Sequence, residues 1–355
     1  MDKMKYADFV RPLSIGRVDL RGEAMRGQRG PGNANQLIWL NGKDHLKGMN
    51  LNFTWGFYSG VGDWRTDLGP HVHPYPECLV FVGLDTSDIN YLGAEIEIEL
   101  GDEREKYTFS KPTVVVVPTG LPHCPVRTKS VDSPRGFGFY LISLGAQPET
   151  TWLGAGLTAE EIALMQKGAA GIGMKMSVKE DKAKPASKKP AKNTKLKYAH
   201  LVKTMTPTIG PDGSKPEGML GKETPAEEMF ERGPGNADQL IWMYGKDLEG
   251  IELSFTWGFY SSPGIWHKER GAHVHPSADE CLVFVGLDPN DIDYLGAEIE
   301  IDIGKEHERH IINRPSVVIL PAGVPHLPIV NRLVDKPFGF YAISLDAEHF
   351  APFID

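Results

Sequence analysis

The chain is written twice, and this constrains its fold more than any other feature. Gly30–Asp44 reads GPGNANQLIWLNGKD, and Gly233–Asp247 reads GPGNADQLIWMYGKD. FTWGFYS starts at Phe53 and again at Phe255, CLVFVGLD at Cys78 and Cys281, and YLGAEIEI at Tyr91 and Tyr294. The offset across these blocks stays at 202–203 residues, so the copies are collinear. Solenoid repeats recur every 20–50 residues or so; this period is that of a whole duplicated domain. The match extends back to KYADFVRPL at Lys5 and KYAHLVKTM at Lys197. We therefore expect one domain over residues 5–147, a helix and linker over 148–196, and a second domain over 197–348.

Within each copy the apolar period is two. In Ala94–Leu100 apolar residues alternate with glutamates, the pattern of a strand with one wet face. Val114–Val117 and Val317–Leu320 are short apolar runs closed by proline, and Phe137–Leu144 and Phe338–Leu345 alternate again. The chain has 39 Gly and 27 Pro in 355 residues, well above the usual shares of about 7% and 5%. Helical bundles tolerate that poorly, whereas short strands joined by many turns use it readily. Each copy reads as an all-β sandwich or barrel.

Between the copies, Thr158-Ala-Glu-Glu161 carries a capping-box pattern ahead of Ile162, Leu164 and Met165, which predicts a short helix. The stretch after Met174 to Lys197 holds nine lysines against Glu180 and Asp181 and almost nothing apolar, and reads as a solvated tether. Without it, the formal net charge moves from −9 to about −16. Acidic modules of this kind repel phosphates, so neither nucleic acid nor an anionic membrane is expected as a partner. Met1–Arg11 has no apolar leader, no run approaches the ~20 apolar residues of a membrane span, and three cysteines make no disulfide framework. A cytoplasmic location with reduced thiols is the expectation.

Six of the twelve histidines fall at three repeated positions. His71-Val-His73 is followed by Glu77 and later by Pro118-Thr-Gly120-Leu-Pro-His123. The second copy has His273-Val-His275, Glu280 and Pro321-Ala-Gly323-Val-Pro-His326. In a strand, residues i and i+2 share a face about 6–7 Å apart, so both imidazoles of His-x-His can reach one ion. A turn then returns a carboxylate, and a distant strand supplies the third histidine. Three imidazoles and one carboxylate suit Mn, Fe, Ni, Cu, Co or Zn better than Ca or Mg.

With these residues in place, each half resembles a cupin domain. The later part of the family's first motif, G-x5-H-x-H-x3,4-E-x6-G, is matched by His71, His73 and Glu77 and by His273, His275 and Glu280, with Gly83 and Gly286 following one residue short of its closing Gly. Its leading Gly is not matched at that spacing in either copy. The second motif, P-x-G-x2-H-x3-N, is met by Pro118, Gly120 and His123, and by Pro321, Gly323 and His326. Its closing Asn is replaced by Arg127 in the first copy and displaced to Asn331 in the second. The resemblance implies two double-stranded β-helix (jelly-roll, cupin) barrels in tandem, each with a three-His, one-Glu metal centre. Satisfied core histidines, as in seed-storage bicupins, are the alternative.

Around these centres, Tyr58, Tyr260, Trp64 and Trp266 are candidate substrate-binding aromatics. The second mouth adds His267, Lys268 and Arg270, able to hold an anion, and Asp279 beside Glu280 as a proton carrier. These charges incline the reading towards the second site. Two-barrel members that keep the Glu resemble oxalate decarboxylases and quercetin-type dioxygenases. The repeated aromatics put a dioxygenase acting on a small enolic or phenolic compound first. A redox-neutral metal-dependent lyase, decarboxylase, isomerase or hydrolase is second, and a non-catalytic binding or storage protein third. A small molecule is the expected partner, and assembly into a homo-oligomer is left open.

Overall fold

The computed structural model describes residues 4–22, 30–65, 68–154, 157–179, 196–209, 234–267 and 271–354. The lysine-rich tether over 180–195 and two expected substrate-binding residues, Lys268 and Arg270, lie outside them. The described chain is β-rich, as the period-two patterning requires, and divides into two compact units.

One unit is Gly16–Leu84 with Tyr91–Thr204. Its inner sheet runs Val202–Thr204, Thr113–Val117, Glu77–Val82, Phe137–Ser143, Asn52–Tyr58 and Gln36–Asn41. Facing strands come from Lys175–Lys179, Glu149–Leu153, His71–Val72, His123–Val131, Ala94–Leu100 and Glu105–Phe109. The second unit is Met1–Ile15, Asp85–Asn90 and Met205–Asp355. Its larger sheet orders Val10–Pro12, Ser316–Leu320, Glu280–Val285, Phe338–Ser344, Ser254–Tyr260, Gln239–Met243 and Pro207–Ile209.

The opening segment of each repeat sits elsewhere than its sequence position suggests. Val10–Pro12 pairs antiparallel with Ser316–Val318 in the sheet of the second unit, and Val202–Thr204 pairs with Thr113–Val115 in that of the first. Close packing fixes each insertion. A Cβ on Gly304 would stand 2.2 Å from the Tyr6 ring, and one on Gly101 would stand 2.1 Å from the Tyr198 ring. Only a residue without a side chain admits the tyrosine there.

The helix Ala159–Gly171 starts at the expected box: Glu161 N–H donates to Thr158 Oγ1 (3.2 Å), and Thr158 N–H to Glu161 Oε2 (2.9 Å). It is no mere spacer. Met165 packs with Trp152 and Leu68, and the following strand Lys175–Lys179 runs parallel to Glu149–Leu153. Residues counted with the linker thus complete a sheet of the first barrel.

Strand Ala94–Leu100 alternates buried and half-buried as the sequence demands. Its counterpart Ala297–Ile303 does not, since Glu300 and Asp302 are buried as well. Arg309 explains part of this: its Nε donates to Asp302 Oδ1 (2.9 Å), and Arg332 pairs with Glu300. Arginine stems cover a face that sequence alone reads as solvated. No helix among the described residues is long and apolar enough to cross a membrane.

Candidate metal centres

In each barrel the four expected donors gather: one ligand atom from each of His71, His73, Glu77 and His123 lies within 4.8 Å of the others, and the same holds for His273, His275, Glu280 and His326. Register explains the convergence. His71 pairs with His123 in one sheet, and Glu77 opens a strand of the other, opposite Val117 and Ser143. The ring centroids stand 4.8 Å (His71–His73), 4.2 Å (His71–His123) and 5.2 Å (His73–His123) apart. The second triplet measures 5.2, 4.2 and 5.6 Å for His273–His275, His273–His326 and His275–His326.

The expected regular His-x-His strand is shorter than period two alone suggests. The first copy keeps only His71–Val72, and the second makes isolated bridges at His273. Pro74 and Pro276 follow each second histidine and offer no N–H to extend a ladder. The Pro-x-Gly turn takes over the tethering: Gly120 N–H donates to His73 O (3.0 Å), and Gly323 N–H to His275 O (2.8 Å). Both glycines have left-handed φ (+75° and +81°), and a Cβ on either would meet nothing within 4 Å, so backbone conformation, not space, demands them. At Gly83 and Gly286 space decides, because a Cβ would lie 1.8 Å from the carbonyl oxygen of Tyr91 or Tyr294.

The donor chemistry fits a metal. His73 Nδ1 faces Glu149 O (2.7 Å), His123 Nδ1 faces Leu121 O (3.0 Å) and His326 Nδ1 faces Val324 O (3.3 Å). A carbonyl only accepts, so Nδ1 carries the proton and Nε2 presents its lone pair inward. His123 Nε2 stands 3.0 Å from Glu77 Oε1, and His275 Nε2 stands 3.2 Å from Glu280 Oε2, yet among the described residues neither nitrogen has a hydrogen-bond partner of proper geometry. His273 Nε2 and His326 Nε2 face each other at 2.6 Å. Buried lone pairs aimed at one another and at a carboxylate are costly unless a cation shares them. Each cluster can hold one divalent transition-metal ion.

Electrostatics agree. Burial, and then His123 and His73, push the His71 imidazole well below its ordinary range; burial and His326 do the same to His273. Burial raises the Glu77 carboxyl, but His73 and His123 more than reverse this and hold it well below the usual carboxylate range. Glu280 behaves likewise beside His275 and His326. The neutral His71 and His273 and the ionised carboxylates are forms a metal needs, whereas, against burial, Glu77 and Glu280 push His73 and His275 up, so a binding metal would displace a proton there.

Each centre opens on a cavity, about 80 Å³ in the first barrel and about 70 Å³ in the second. The expected aromatics line these cavities but are packed against each other. Trp64 stacks on Tyr58 at 4.2 Å and Trp266 on Tyr260 at 4.3 Å. Their indole N–H groups donate to Thr128 Oγ1 (2.8 Å) and Asn331 Oδ1 (3.0 Å). Thr128 thus does in the first copy what the displaced motif Asn does in the second. Trp55, Trp257, Phe57 and Phe259 are buried on the opposite strand face.

The cations and acids near the mouths sort differently from the sequence expectation. His267 lines the second cavity, half-buried, with left-handed φ (+58°) and its N–H on Asn236 Oδ1 (3.0 Å). Asp279 is not among the groups lining that cavity; its Oδ1 accepts the Ala322 N–H (2.9 Å) in the turn that presents His326. Two functional candidates escape the sequence reading. Arg65 lines the first cavity, its guanidinium 4.9 Å over the Trp152 ring and 3.3 Å from His71 Nδ1. His349 lines the second, buried, 3.8 Å from Glu280 Oε1. Arg65 carries a signal, as a cation six residues before a metal-type histidine; His349, outside both motifs, carries none.

No protein-family model matches the sequence, and no curated protein does. Solved structures do. An oxalate decarboxylase aligns over 100% of this chain and 80% of its own at 12% identity and a TM-score of 0.56. Two single-residue variants of the Bacillus subtilis oxalate decarboxylase align over the same shares, at 13% identity with a TM-score of 0.54 and at 14% with 0.53. Identity this low speaks for architecture: the chain has the bicupin fold, two cupin barrels in one polypeptide.

Proposed function

We propose that this chain is a metal-dependent lyase of the decarboxylase kind, acting on a small carboxylic acid at the first barrel. The observation that carries the reading is the Arg65 guanidinium beside the His71, His73, Glu77 and His123 cluster, in a cavity of about 80 Å³. A carboxylate of the substrate is matched by the guanidinium, whose fork binds both oxygens. The metal, held by the three imidazoles and Glu77, supplies Lewis acidity when bound. Trp64 and Tyr58 limit the length of substrate that fits, because their stacked rings form part of the wall. Tyr75 stands with its ring stacked on His73 at 5.5 Å, and its hydroxyl accepts the Glu149 N–H (2.6 Å), which fixes the imidazole plane.

This places the redox-neutral reading ahead of the dioxygenase first expected from the aromatics, since those rings are occupied with one another and the cavity is small. The oxalate decarboxylases among the structural neighbours support the same choice of class by analogy of fold. The reaction is RCOO⁻ + H⁺ → RH + CO2. With two- to four-carbon mono- and dicarboxylates as probes, an oxygen electrode and a CO2 assay are read together. CO2 release with no net oxygen uptake per turnover is expected. Oxygen consumed in stoichiometric amount, or CO2 release unaffected by Arg65→Gln, overturns the proposal.

A further inference from the structure

The two centres share four donors but differ in what faces the carboxylate. In the first, Ser143 Oγ donates to Glu77 Oε2 (2.8 Å), leaving Oε1 to the imidazoles. Register puts Ser344 opposite Glu280 in the same way. Its hydroxyl nevertheless has no hydrogen-bond partner among the described residues. Glu280 instead turns Oε2 to His275 and His326 (3.2 and 3.3 Å) and Oε1 towards His349 Nδ1 at 3.8 Å, beyond hydrogen-bond reach. The His349 ring lies 4.8 Å from that of His275 and packs edge-on against Trp242 at 4.6 Å.

The backbone is built to hold it there. His349 has a left-handed φ of +54°, and the turn is fixed by Asp346, whose two carboxylate oxygens accept the N–H groups of Glu348 (3.0 Å) and Phe350 (3.1 Å). A non-glycine residue is strained in that region and is held there only by its surroundings. Counted from the matched Ser143 and Ser344, His349 corresponds to Pro148, which lines the first cavity and has no nitrogen lone pair to offer.

We propose that His349 turns in as a fifth protein donor of the second centre and so retains its metal more tightly than the first centre does. The inference rests on metal binding at both clusters, the premise of the function proposed above.

The test loads the whole chain with Mn(II) and follows metal per chain during exposure to excess chelator. Wild type should lose one equivalent quickly and the other slowly. His349→Asn keeps a side chain that tolerates left-handed backbone but is too short to reach. In it the slow phase should quicken about 10–100-fold, the range seen when a metal's supporting groups are lost, with the fast phase unchanged. Free imidazole added to His349→Gly should restore slow release, a rescue that a merely structural loop residue would not give. A slow phase unchanged in His349→Asn, or no rescue in His349→Gly, overturns the assignment of His349. A wild-type chain that takes up no metal overturns the shared premise instead.

Discussion

The two barrels repeat one sequence and use it differently. Both gather three imidazoles and a carboxylate from the same strands, yet the first sets Arg65 beside them and the second sets His349. A guanidinium only donates, and Arg65 stands 3.3 Å from His71 Nδ1; an imidazole carries a lone pair, and His349 Nδ1 stands 3.8 Å from Glu280. Duplication thus supplies two similar scaffolds, and one residue outside the motifs in each, Arg65 or His349, distinguishes the two cavities.

Breaking the first centre gives the largest expected effect. His123→Ala should lower turnover by at least about 10³-fold, because a Lewis acid worth several kcal/mol is lost. His326→Ala should leave turnover within a few-fold. Equal losses would erase the comparison. Arg65→Gln should raise KM about 10–100-fold, the worth of a charge-assisted hydrogen bond of roughly 1.5–3 kcal/mol, with Lys recovering part of it. His267→Gln in the second barrel should leave KM unchanged.

Scaffold changes should treat the barrels alike. Gly83→Ala and Gly286→Ala each drive a Cβ to 1.8 Å from a carbonyl oxygen, and each should cost about 1–3 kcal/mol or more in denaturant unfolding. The smallest effect separates the barrels again. Ser143→Ala should weaken Mn(II) binding at the first centre about tenfold, since it removes the bond to Glu77, while Ser344→Ala should change the second by less than about twofold, the ordinary scatter of a substitution that removes no bond.

Much of this is legible in the sequence. The repeat, the period of two, the capping box and the eight donor-type residues all rest on local pattern, and the structure gathers each as expected. What escapes depends on long-range placement. The exchange of Val10–Pro12 and Val202–Thr204 between sheets leaves no mark in a strand's own composition. Trp64 and Trp266 line the cavities, but sequence does not show that each is stacked on a tyrosine and pinned by its indole N–H. Asp279 lies just before the strand that Glu280 opens, and its carboxylate serves the Ala322 turn. His349 lies outside any motif and arrives only through the turn at Asp346.

Each barrel is expected to hold its own metal, the first through its four donors and the second through the matching four with His349. Elemental analysis of the purified chain, beside His123→Ala and His326→Ala, tests it most directly. Two equivalents of a divalent transition metal per wild-type chain, and one in each variant, are predicted. A wild-type chain without stoichiometric metal, or variants that keep both equivalents, would contradict it.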